Sequence, residues 1–108
     1  MDYDINYLME ILNNIKSNPY GIRHTSHFLK RAAYRDVDLN FVTKKLLSEV
    51  PVGIQKTLGY GNRFELIFEY AKYEDLYIVV DIINSDEVII ITAMPKDNKR
   101  RKHWWILN

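Results

Sequence analysis

Arg63-Phe64-Glu65-Leu66-Ile67-Phe68-Glu69-Tyr70 is where the chain changes its hydrophobic period. Phe64, Leu66, Phe68 and Tyr70 alternate with Arg63, Glu65, Ile67 and Glu69, the two-residue repeat of a half-buried strand. Before this stretch the repeat is helical. Ile5, Leu8, Ile11, Leu12 and Ile15 form one stripe over residues 4–15, which Asp2 or Asp4 can cap and Asn18-Pro19-Tyr20-Gly21 stops. Residues 26–35 predict a second helix behind Thr25 or Ser26. Residues 38–50 predict a third, capped by Asp38, buried through Leu39, Val42, Leu46, Leu47 and Val50, and ended by Pro51 and Gly53. After the stretch, residues 76–83 and 88–94 are dense in Ile and Val and read as central strands joined at Asn84-Ser85-Asp86-Glu87. Residues 54–60 make a weaker strand that turns at Gly59-Tyr60-Gly61-Asn62. Short connections favour antiparallel neighbours. The expectation is an α+β domain with N-terminal helices packed on an antiparallel sheet of about four strands.

A chain of 108 residues is expected to hold one domain, 1–108, because a second core would have too little sequence to bury. Residues 1–18 then add an N-terminal helix, and residues 96–108 a basic and aromatic C-terminal segment. The 47% hydrophobic and 27% charged residues are a globular mixture rather than a disordered one. The chain has no cysteine, which excludes disulfide scaffolds, thiolate metal sites and thiol catalysis. The longest apolar run, residues 88–94, is far short of the roughly 20 residues of a membrane span. Met1-Asp2-Tyr3-Asp4 starts no signal peptide. A soluble cytoplasmic protein with no membrane partner is expected. The net charge of +1 hides an asymmetry: residues 51–95 are acidic, whereas Lys96-Asp97-Asn98-Lys99-Arg100-Arg101-Lys102 is a basic run of the kind that attracts polyanions or simply stays solvated.

No phosphate-cradling loop, dinucleotide fingerprint or nucleophile elbow is present. His24 and His27 lack an acidic third ligand, so no metal and no cofactor is expected. What remains is cationic. On the second helix, Phe28, Leu29, Ala32 and Ala33 are expected to face the core, and His27, Lys30, Arg31, Tyr34 and Arg35 to face outward. His27, Arg31 and Arg35 are successive i, i+4 neighbours. A neutral imidazole beside two guanidinium groups is the inventory for cleaving RNA without a metal: a base for the 2′-hydroxyl and cations for the phosphorane. The competing reading pairs Arg31 with Glu65 or Glu69 across the layers and leaves His27 bonded to the helix start. Trp104-Trp105-Ile106-Leu107 either folds back over apolar surface or serves as a partner or base-stacking surface.

Residues 25–38, Thr-Ser-His-Phe-Leu-Lys-Arg-Ala-Ala-Tyr-Arg-Asp-Val-Asp, resemble the Thr-x-His-Ala-x-x-Arg-x-x-x-Arg-Gly-Ile-Asp opening of small domains related to RelE/ParE-type and BrnT toxins, in the barnase–EndoU–colicin–RelE ribonuclease superfamily. Val50-Pro51, the Gly61-Asn62-Arg63-Phe64-Glu65-Leu66 strand start and the Ile91-Thr92-Ala93-Met94-Pro95 strand end are similar too. Phe28 and Asp36 depart from the pattern, which has a small residue and glycine there. The resemblance covers roughly residues 22–103. It implies a toxin-like, metal-independent endoribonuclease acting on RNA, on the ribosome in the RelE-like case, and neutralised by a cognate antitoxin. His27, Arg31 and Arg35 are then the candidate catalytic residues. His24, Thr92, Lys99, Arg100, Arg101, Lys102 and His103 are the candidate RNA-binding residues. The alternative is a non-catalytic module that binds nucleic acid or protein through the basic C-terminal segment. The second helix is expected to lie across the sheet and to set His27, Arg31 and Arg35 in a groove beside the last strands, near Thr92 and the start of the basic segment.

Overall fold

Each helix begins behind a residue whose side chain satisfies one of the first free amides. The computed structural model of the chain describes residues 3–35 and 37–99 and, as backbone, 105–106. Asp4 accepts from the Tyr7 amide (2.8 Å) at the start of α1 (Ile5–Ile15). Thr25 Oγ1 accepts from the Phe28 amide (3.0 Å) at the start of α2 (Ser26–Tyr34). Asp38 accepts from the Asn40 amide at the start of α3 (Leu39–Ser48). Such a cap contributes about 1 kcal/mol. The turn expected after α1 is a 3₁₀ turn, Pro19–Gly21. Gly21 fits there because a Cβ would overlap the Asp86 carbonyl oxygen.

The strands are β1 (Ile22–His24), β2 (Gly53–Lys56), β3 (Arg63–Ala71), β4 (Glu74–Asn84), β5 (Glu87–Asp97) and β6 (Trp105–Ile106). They form one sheet in the order β1-β5-β4-β3-β2-β6. The expected meander is its centre, with β2–β3, β3–β4 and β4–β5 all antiparallel. The expectation of about four antiparallel strands needs correcting at both edges. β1 runs parallel to β5, Ile22 to His24 opposite Val88 to Ile90, and β6 adds antiparallel to β2. β2 also stops at Lys56 rather than at 60, because Gly59 takes a left-handed φ of 85° in the loop that follows.

The class is α+β: three helices lie against one face of a mixed sheet. Leu8, Ile11, Leu12 and Ile15 of α1, Phe28 and Ala32 of α2, and Val42 and Leu46 of α3 are buried with Phe64, Leu66, Phe68, Leu76, Ile78, Val80, Ile82, Val88 and Ile90 of the strands. Each fully buried aliphatic or aromatic side chain contributes about 1.5–3 kcal/mol. α3 buries a narrower stripe than expected: Leu39 and Leu47 are half-buried, and Val50, beyond the helix end, is exposed. Among the described residues no helix is long and apolar enough to cross a membrane.

β5 is far longer than its neighbour β1. From Ile91 onward its outer edge pairs with no other strand among the described residues. An open edge invites pairing with another chain. Here it is blunted three ways. The pairing register shifts around Ile91, Pro95 offers no N–H, and Arg35 reaches over from α2.

Candidate functional site

α2 lies over β5, the outer long strand, rather than over the middle of the sheet. Only a narrow stripe of it therefore meets the core, and that stripe is Phe28 and Ala32. Leu29 and Ala33, expected to pack down, are exposed; Leu29 retains 44% of its surface.

Arg35 also departs from expectation. It comes nearly two turns after Phe28 and so returns close to the buried stripe. It is half-buried, and its Nη1 donates to Thr92 Oγ1 (2.7 Å) and to the Ala93 carbonyl oxygen (3.3 Å). Arg35 and Thr92 are thus brought together, whereas no contact brings His27 or Arg31 to the last strands among the described residues. Their contact ties the C-terminus of α2 to the β5 edge, and Nη1 is committed to it.

His27 and Arg31 are exposed on α2 with Lys30 and Tyr34. The spacings 27–30, 27–31, 30–34 and 31–34 are all i, i+3 or i, i+4, so the four side chains form one contiguous patch. Arg31 does not pair with Glu65 or Glu69, and neither Lys30 nor Arg31 forms an ion pair among the described residues. No carboxylate occurs from Ile22 to Arg35. The nearest cation upstream, Arg23, is paired with Glu87 (2.7 Å). The Asn84 amide first, and Arg23 second, hold the Glu87 carboxyl below its usual range. His24, on β1, is exposed, with its ring tilted against Phe28 at 6.3 Å between centroids. Sequence reasoning had placed Lys30 and Tyr34 on the outward face without counting them in the site. The signal was the same i, i+3/i+4 spacing that selected His27 and Arg31.

Of the C-terminal candidates only Lys99 is described, and it is not brought to this patch. Lys99 is exposed and its amide donates to Asp97 Oδ1 (2.9 Å). Asp97 lies about 17 Å farther along the strand than Thr92. Arg100, Arg101, Lys102 and His103 lie outside the described residues.

Elsewhere some cations are taken, whereas Lys16 and Lys44 are as unpaired among the described residues as Lys30 and Arg31. Arg63 forms a two-pronged pair with Asp81 directly opposite it (2.7 and 3.0 Å), beneath the Tyr60 ring at 4.1 Å. That bond raises the guanidinium pKa further. Lys45 is bound to Glu49 (2.8 Å) and to the Glu69 carbonyl oxygen (2.6 Å), and lines a mixed-charge cleft of about 560 Å³ between α3 and the β3–β4 end. Among the described residues no group of three or more His, Asp or Glu is set to hold a metal ion.

One carboxyl stands apart. Glu65, on the sheet face away from the helices, is half-buried, and its Oε1 has no hydrogen-bond partner among the described residues. Burial pushes its pKa up, and Lys96 partly offsets the shift. The folded state therefore favours the neutral acid. Stability from this group is full below the ordinary glutamate pKa and falls as pH rises through the raised value. Glu65→Gln is expected to raise the urea midpoint at neutral pH and to have no effect at about pH 4, where the wild-type side chain is largely protonated. Parallel midpoint-versus-pH curves for the two proteins would contradict this.

No protein-family model, characterised protein or solved structure matches the chain.

Proposed function

We propose that the protein is an RNA-directed domain, which grips phosphates on the outward face of α2 and cleaves the strand there without a metal. The carrying observation is that His27, Lys30 and Arg31 share one exposed patch in a stretch free of carboxylates. Surface pairing offers only about 0–1 kcal/mol per pair, and these cations make no such pair among the described residues, so stability gives little reason to gather them. In the proposed reaction His27 takes the 2′-hydroxyl proton and the freed oxygen attacks the adjacent phosphorus. Lys30 and Arg31 stabilise the phosphorane charge, the P–O5′ bond breaks, and the leaving oxygen takes a proton from solvent. The products are a 2′,3′-cyclic phosphate and a 5′-hydroxyl. Arg35, held by Thr92, positions the helix end. The toxin resemblance extends the proposal to mRNA on the ribosome, a neutralising antitoxin and a cytoplasmic place of action.

A second reading is favoured by one observation: among the described residues His27 has no hydrogen-bond partner to orient its ring. A nucleic-acid-binding module without catalysis fits that. One experiment separates the readings. End-labelled RNA is incubated with the protein in EDTA, with and without ribosomes, across a salt series. Retention that weakens steeply with salt, followed by cleavage to cyclic-phosphate ends, is the expected result. Retention with intact RNA leaves the binding module. The pair Lys30→Glu and Arg31→Glu is expected to abolish retention at moderate salt, and retention unchanged in that variant would remove α2 from the site.

A further inference from the structure

We propose that the α2 patch takes single-stranded nucleic acid, with Tyr34 stacking on an unpaired base beside phosphates held by Lys30 and Arg31. The inference rests on the reading of this face as an RNA surface and adds the form of the strand. Tyr34 is 91% exposed, although a ring of its size normally buries most of its area. It takes part in no ring stack or cation–π pair among the described residues, unlike Tyr3 and Tyr7, which stack at 4.7 Å, or Tyr60 over Arg63. Helical side chains lean toward the N-terminus, which brings the Tyr34 ring over the turn that carries Lys30 and Arg31. Ahead of the N-terminal end of α2, His24 on β1 offers a second ring, tilted against Phe28.

The order along the surface is therefore ring, cations, ring. A single strand supplies alternating partners for that order, phosphates for the cations and base faces for the rings. A duplex does not: its bases are stacked inside, and it would present only phosphates and hydroxyls to Tyr34.

The test uses the full chain and cleavage-proof 2′-O-methyl probes: a short oligouridylate, a blunt duplex of equal length and an abasic strand. Affinity is read by fluorescence anisotropy at one salt concentration. The single strand is expected to bind about tenfold or more tighter than the duplex. Tyr34→Ala is expected to lose roughly five- to tenfold on the single strand and nothing on the abasic one, while Tyr34→Phe keeps wild-type affinity. If the duplex binds as well as the strand, or if Tyr34→Ala binds the strand unchanged, the stacking site is gone and the RNA reading survives. If none of the three probes binds, or a polyglutamate peptide displaces them all, both fall.

Discussion

His27→Ala is expected to slow RNA cleavage in EDTA by about 10²–10⁴-fold while RNA affinity changes only a few-fold. The two effects separate because the imidazole moves a proton, whereas Lys30 and Arg31 carry the charge that holds the strand. The variant also isolates chemistry from folding. His27 is exposed on the first turn of α2 and its side chain is not needed for the cap, which Thr25 supplies. The decisive measurement is a pair of numbers on one preparation, the single-turnover cleavage rate and the dissociation constant for a cleavage-resistant strand. Wild-type cleavage by His27→Ala would overturn the assignment of this residue. A loss of affinity as large as the loss of rate would make it a binding group only.

Phe28→Ala is expected to cost about 3–5 kcal/mol, a large share of the roughly 5–15 kcal/mol that holds a domain together. Phe28 is fully buried, and only small Ala32 is buried beside it on α2. Removing the ring leaves a nine-residue helix with almost no apolar anchor, and helices that short do not persist without one. Leu29→Ala is the informative companion. Its side chain keeps 44% of its surface, so its expected cost is only about 1 kcal/mol. Urea midpoints of the two variants should therefore differ widely, although the residues are adjacent in sequence and share the same apolar character. Equal losses would mean that Leu29 is packed after all.

That pair shows what the sequence could and could not disclose. The three helices and the β2–β5 meander were legible because each repeats its period over two turns or several alternations, and because Asp4, Thr25 and Asp38 are cap residues placed just ahead of those repeats. β1 was not legible. Ile22-Arg23-His24 is too short to show an alternation, and its partner is near the other end of the chain. The inward and outward sets on α2 were drawn from the helix alone. Which apolar residues are covered depends on whether the helix lies over the middle of the sheet or over its edge, and local spacing carries no information about that. The same holds for the candidate site. His27 and Arg31 could be picked out by type and spacing, but their freedom depended on where the carboxylates went. Arg23, Lys45 and Arg63 turned out to be paired with Glu87, Glu49 and Asp81. Only the tertiary arrangement shows which cations are paired among the described residues and which, Lys30, Arg31, Lys16 and Lys44, are not.

The parallel pairing of β1 with β5 has a consequence for the order of events during synthesis. Contacts between distant parts of a chain close late, because the loop between them must first be ordered. β1 and α2 leave the ribosome before β5, the strand they rest on. Until residues 87–97 are out, α2 has no floor beneath Phe28 and no Thr92 to fasten Arg35. A nascent chain of this protein therefore carries its cations on a segment without fixed shape. The basic face becomes a surface only after residues 87–97 have been made.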